Sequence, residues 1–167
     1  GDVDWPGVAG LDCTTFGRLA ALSGQVPTIG VVAGRCFAGN AALLGCCDVI
    51  VAVEGASIGL GGPAMIEGGG LGRVEADEVG PLSVMGPNGV VDLRVPDDPS
   101  ATAMVRSLLD LLGSATRPAG EPGGDLSSLR TALPENRNAL YDPRRIVSTV
   151  ADAGTLIELR AEFGVGV

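Results

Sequence analysis

Short, almost continuous apolar runs alternate along this chain with glycine-rich punctuation. From Thr14 to Leu22 the apolar residues Phe16, Leu19 and Leu22 recur at helical spacing, and Ser23-Gly24 ends the run, so a helix is expected there. Val26 to Ala33 is apolar nearly throughout and is opened by Pro27, the pattern of a strand covered on both faces. Gly34-Arg-Cys-Phe-Ala-Gly39 reads as a turn, and Asn40-Ala-Ala-Leu-Leu44 as a short helix. Asp48 to Val53 repeats the covered-strand pattern, and Ala56 to Leu60 is a shorter version. Strand, helix and strand of like direction make a βαβ unit, which is right-handed almost without exception.

Downstream the pattern loosens. Gly61-Gly-Pro-Ala-Met-Ile-Glu-Gly-Gly-Gly-Leu-Gly72 is too glycine-rich for regular structure, and reads either as a surface loop or as a loop that touches substrate. It lacks the Gly-Lys-Ser/Thr of a phosphate loop. Asn88-Gly89 turns into a strand at Val90–Val95, and Asp97-Asp-Pro-Ser100 starts a helix with Met104, Val105, Leu108, Leu109 and Leu112 on one face, closed by Gly113. Residues 114–132 form a flexible connection, Pro- and Gly-rich from Ser114 to Asp125. The segment 133–167 holds short motifs and ends at Phe163-Gly-Val-Gly-Val167, which reads as a strand beginning. An acidic start and an end inside an apolar run are the marks of a piece of a longer polypeptide, with its core domain in residues 1–113.

The turn at Gly34–Gly39 leaves free backbone N–H groups at the start of a helix. Such amides hold anions or developing oxyanions, because they lack intrahelical partners and the helix dipole is positive there. Composition makes a backbone site more telling: the 11 basic residues are all arginine, and histidine is absent. Schiff-base lysine chemistry, a Ser-His-Asp relay and imidazole zinc sites are thereby excluded. With 46% hydrophobic and 3% aromatic residues the core must be aliphatic. A net charge of −9 disfavours a nucleic-acid surface, and no apolar run approaches the ~20 residues of a membrane span. Cys13, Cys36, Cys46 and Cys47 show no Cys-x-x-Cys spacing and read as reduced, buried, small apolar residues of a cytoplasmic protein.

Three pieces in order carry a resemblance: Val26 to Ala42, Gly61-Gly-Pro-Ala-Met-Ile-Glu67, and Tyr141-Asp-Pro-Arg-Arg-Ile-Val147 followed by Glu158-Leu-Arg-Ala-Glu-Phe-Gly164. The chain resembles the amino-terminal half of the carboxyltransferase of biotin-dependent acyl-CoA carboxylases. The resemblance implies a crotonase-like α/β fold, a spiral of ββα and βαβ repeats. It implies transfer of CO2 from carboxybiotin to the α-carbon of an acyl-CoA, of acetyl- or propionyl-CoA type, through an enolate. The implied oxyanion donors are the backbone of Gly39 with Ala38 and Asn40. Implied substrate-binding positions are Gly34, Arg35, Cys36, Phe37, Gly61, Gly62 and Pro63. No metal is implied. The implied cofactor is biotin on a partner domain or subunit, and the implied partners are acyl-CoA, a biotin carboxylase, a biotin carboxyl carrier and further copies of the chain.

Other readings stay open. A crotonase-like hydratase, isomerase or hydrolase would bind CoA without biotin, but hydratases of that group carry an acidic residue just beyond the turn, where Ala41, Ala42, Leu43 and Leu44 stand here. A non-catalytic assembly domain is a third reading. A serine protease of related fold needs Ser where Ala38 stands, and a histidine. Arg35 and Arg73 either face the CoA phosphates or are surface arginines, solvated or paired with carboxylates. The upstream glycine loop and the carboxyl half of the family are not in this sequence, so the piece by itself is expected to turn over negligibly.

Overall fold

The computed structural model describes residues 14–113, 120–136 and 138–165. Its elements run α1 (Thr14–Ala20), β1 (Ile29–Val32), β2 (Arg35–Phe37), α2 (Gly39–Gly45), β3 (Val49–Val53), β4 (Ser57–Gly59), α3 (Pro63–Gly68), α4 (Leu82–Met85), β5 (Leu93–Val95), α5 (Asp98–Gly113) and α6 (Pro143–Val150). Short 3-10 turns lie at Ala76–Glu78 and Leu126–Thr131. The strands form two sheets, β1-β3-β5 and β2-β4, and every pairing between them is parallel. Two successive ββα units thus send their first strands to one sheet and their second strands to the other. This is the α/β spiral that the sequence leads one to expect.

Burial explains the order. β3 is the central strand, and all five of its residues are buried, as its unbroken Val-Ile-Val-Ala-Val sequence requires. Val32, Ala41, Leu44, Ile50, Ala52, Ala56, Ile58, Leu82 and Val91 form one aliphatic cluster, with Cys36 and Met85 packed against it. Gly30 lets α2 close onto β1, since a Cβ there would stand 2.6 Å from Leu44 Cδ1. The chain divides into two compact units, Gly1–Leu108 with Leu159–Val167, and Leu109–Glu158. In the second unit a bridge between Pro122 and Asp152, an Asp125 cap on Ser127 N and the Arg144–Glu158 ion pair hold the chain, and no described residue is buried.

Several expectations are corrected. The turn Gly34–Gly39 contains a strand: Arg35-Cys-Phe37 pairs with β4 in the register Arg35↔Ser57, Cys36↔Ile58, Phe37↔Gly59, with Cys36 turned to the aliphatic cluster. β1 starts at Ile29 and, with Gly30 and Val32 buried and Val31 exposed, is covered on one face only. α3 is a helix inside the glycine-rich stretch, nucleated by Pro63 in its first turn and built from Ala64-Met-Ile-Glu67. In α5 the inward face is Ala101 and Leu108, while Leu109 and Leu112 are exposed. Phe163 closes a turn onto Arg160 and its ring lies against Gly89, so residues 163–165 form no strand, and the rest of the expected strand, Gly166 and Val167, lies outside the described residues. Cys46 is exposed and Cys36 and Cys47 are half-buried; all three are free thiols. Cys13 and residues 114–119 of the expected connection lie outside the described residues.

Asp48 caps the entry to β3. Its Oδ2 accepts from the Thr28 amide and hydroxyl, both at 2.8 Å, and these bonds hold its carboxyl below the usual aspartate range. A depressed carboxyl stabilises the fold above its unfolded pKa, and that stability is lost as pH falls through the folded value. Asp48→Asn is therefore expected to flatten the acid arm of the stability profile below about pH 4, read by urea melts at stepped pH.

Candidate functional site

The second sheet brings two strand ends together. β2 and β4 are parallel, so Phe37-Ala38 and Gly59-Leu60 leave the sheet side by side and each leads into a helix. The Ala38 amide donates to the Gly59 carbonyl at 3.1 Å, extending the ladder one step past the strand, so the expectation that Ala38 is an oxyanion donor is corrected: its N–H is already engaged. The helical ladder of α2 begins only at Ala42, whose amide donates to the Ala38 carbonyl at 3.0 Å. Between these lie Gly39, Asn40 and Ala41, whose amides donate to no backbone carbonyl among the described residues, Gly39 and Asn40 being the two nearest the strand ends. Crevices beyond the carboxyl ends of parallel strands are where open α/β sheets take ligands.

Ala38 reaches this geometry at a cost. It sits at φ 54°, ψ −124°, one of two described non-glycine residues with positive φ. Such a conformation costs a residue with a Cβ about 1–3 kcal/mol and is found where a site demands it. Ala38→Gly is expected to raise stability by about 1 kcal/mol, the released strain exceeding the added freedom of the unfolded chain, as a higher urea midpoint.

Gly39 faces the ring of Phe16 from α1, with a built Cβ 3.2 Å from Phe16 Cζ. Gly34 opens β2 at φ +104°, and its carbonyl accepts from the Ser57 amide at 3.0 Å. The exposed Arg35 guanidinium donates through Nε and Nη2 to Asp77 Oδ1 at 3.1 Å, and Arg73 Nε donates to Glu67 Oε1 at 2.8 Å. Both arginines are thus paired with carboxylates. Burial pushes the Cys36 thiol above its ordinary pKa, which keeps it neutral and poorly nucleophilic.

Gly61, Gly62 and Pro63 come to the same end of the sheet. Gly62 lies on the Phe37 ring and precedes Pro63 at the start of α3. The structure therefore joins the two glycine segments through Phe37 and through the Ala38–Gly59 bond. No group of His, Cys, Asp or Glu suited to a metal occurs among the described residues, and no described helix is long and apolar enough to cross a membrane. An open pocket under α5, lined by Val31, Ala33, Ala101, Val105 and Arg106 among others, shares no residue with the glycine turn. The buried Ser57 hydroxyl, which has no hydrogen-bond partner among the described residues, and the Asp77 partner of Arg35 were not legible as site neighbours in the sequence.

Comparison with known proteins gives a consistent picture. The biotin-dependent 3-methylcrotonyl-coenzyme A carboxylase beta1 subunit of Mycobacterium tuberculosis is 29% identical over 162 residues, which cover 89% of this chain and 31% of that protein. The structure of a single-chain, multi-domain long-chain acyl-CoA carboxylase superposes with a TM-score of 0.84 at 45% identity, over 99% of this chain and 16% of that one. The transcarboxylase 12S subunit, a hexamer solved with hydrolysed methylmalonyl-coenzyme A, superposes with a TM-score of 0.75 at 25% identity, over 89% of this chain and 30% of that one. This chain therefore spans a third or less of the length of each of these proteins. The carboxyl transferase domain profile matches residues 7–167, and with it the chain belongs to the carboxyl transferase domain family.

Proposed function

We propose that this chain is the acyl-CoA-binding part of the carboxyltransferase of a biotin-dependent acyl-CoA carboxylase, acting on short acyl-CoAs of acetyl or propionyl type or on longer relatives. The observation that carries the reading is the pair of unengaged amides at Gly39 and Asn40, beside the carboxyl ends of two parallel strands, in a chain of this family. The thioester oxygen rests against the Gly39 amide, with Asn40 beside it and Ala38 fixing the path of the turn. The enolate of the thioester carries negative charge on that oxygen, and donors already aimed at it stabilise that charge without reorganising. No acidic residue lies in the first turn of α2, which supports carbon–carbon bond formation over hydration.

Biotin, when bound to its carrier, supplies the carboxyl group. The residues of this chain hold the acceptor, and none is assigned to the donor. We place the core of the domain in residues 1–113, with 133–167 leading toward the half that receives biotin. Biotin carboxylase and carrier domains or subunits, and further copies of the chain, complete the machine. Chemistry then requires both reactants at reacting distance, and that orientation accounts for much of the rate.

The test is an assay of the assembled enzyme with labelled carboxybiotin and acyl-CoAs, beside the same preparation with enoyl-CoAs. Label in the acyl-CoA supports the reading; hydration without label transfer overturns it. Exchanging the Ala38–Gly39 amide for an ester removes one donor and adds no atom, and kcat is expected to fall about a hundredfold.

A further inference from the structure

We infer that the Phe16 ring is what aims the Gly39 amide, which makes Phe16 a positioning residue for the proposed reaction; this rests on the proposed function and adds a residue to that site. The Gly39 N–H has no backbone acceptor to fix its direction. The peptide that carries it is tied at its carbonyl end only, where Ala38 accepts from the Ala42 amide at 3.0 Å. It also follows a residue strained at φ 54°. A peptide so placed relaxes toward easier angles unless its surroundings block the way. Outside its own helix and chain neighbours, the only described atoms within 4 Å of a Cβ built on Gly39 belong to Phe16, Cζ at 3.2 Å and Cε1 at 4.0 Å. Gly34, just before β2, and Gly45, at the end of α2, meet nothing within 4 Å.

The ring does not serve the core. α1 has no buried residue, Phe16 is 42% exposed, and the aliphatic cluster does not include it. Its contact thus adds little to stability, yet it falls on the residue whose displacement matters most to the chemistry. An oxyanion donor works because it is already aimed, and a misplacement of about 1 Å costs up to about a hundredfold in rate. Leucine ends at Cδ and lacks both of the atoms that touch the turn. Reach, more than hydrophobicity, is what this position uses.

The experiment measures kcat and KM of the assembled enzyme for Phe16→Ala, Phe16→Leu and Leu22→Ala, with urea melts of each. Leu22, past the end of α1 and also 42% exposed, is the control for lost apolar surface. Both Phe16 variants are expected to lose about tenfold in kcat with KM within about twofold of wild type, and Leu22→Ala to keep both. An equal loss in Leu22→Ala, or a wild-type kcat in Phe16→Leu, would overturn the inference. Calorimetry adds a readout apart from turnover: the nitronate of a nitroalkyl-CoA, whose anionic oxygens mimic the enolate, against the matching alkyl-CoA. The Phe16 variants should bind the nitronate about tenfold more weakly and the alkyl-CoA as before. Equal losses on the two ligands would also overturn it. If the wild type carboxylates no acyl-CoA, the proposed function fails and the ratio of the two affinities alone decides the role of Phe16: a fall in the variants supports it, an unchanged ratio rejects it.

Discussion

Gly80→Ala is expected to unfold the protein, or to lower its stability by more than about 4 kcal/mol. Gly80 holds φ +61°, and its carbonyl accepts from the Ile58 amide at 2.9 Å. With Pro81 bridging Ser57, this segment runs antiparallel along β4 and covers its open edge. An added methyl would lie 1.8 Å from the Ile58 carbonyl oxygen and 2.7 Å from Met85 Cε. The methionine tip can swing away; the carbonyl belongs to a buried strand and cannot. Backbone strain and steric conflict therefore add. The comparison is Gly68→Ala at the end of α3, where nothing lies within 4 Å of a built Cβ. That change is expected to be neutral or to stabilise by about 0.5 kcal/mol. Urea melts of the two variants, followed by far-UV circular dichroism, check the contrast.

Asp92→Ala is expected to cost about 3 kcal/mol. The Asp92 carboxylate is buried, with side-chain exposure of 4%, and its two oxygens have different partners. Oδ2 accepts from the Ile50 amide and Oδ1 from Arg160 Nε, both at 2.7 Å. Its main chain does the same work twice over, the amide donating to the Ile50 carbonyl and the carbonyl accepting from the Arg160 amide. Alanine leaves a buried N–H on the central strand without an acceptor and frees the segment held by Arg160. Half of the Arg160 side chain is exposed, so its charge returns to water and the full penalty of a stranded ion is not reached. Asp92→Asn should be nearly as costly. Both partners are donors, so whichever way the amide turns, its NH2 group faces one of them. A double-mutant cycle with Arg160→Ala separates the ion pair from the bond to Ile50.

Much of this architecture is legible in the sequence, and the misses have physical causes. The five-residue apolar run of β3 and the glycine punctuation around α2 announce themselves, because burial on both faces leaves no room for alternation. The strand hidden at Arg35–Phe37 does not, since three residues between a glycine and a strained alanine look like a turn until their partner β4 is known. Pro63 opens a helix that the surrounding glycines mask. Of the candidate site, the turn Gly34–Gly39 stands out from local sequence. Its pairing with Gly61–Gly62, and the engagement of Arg35 by Asp77, depend on residues more than twenty positions apart. Asp92 gave no signal at all, since a lone aspartate at a strand entrance is usually solvated.

The unengaged amides of Gly39 and Asn40 have a consequence for how such a protein drifts over generations. A donor built from main chain has no functional group to lose, because every amino acid but proline supplies the same N–H. Selection on this turn acts on dihedral angles and clearance, and is nearly indifferent to side-chain identity. An alanine scan from Gly34 to Asn40 would thus strike at Gly34, whose φ of +104° disfavours a Cβ, and at Gly39, where a Cβ would stand 3.2 Å from Phe16, silencing the site through the path of the backbone without touching a single reactive side chain.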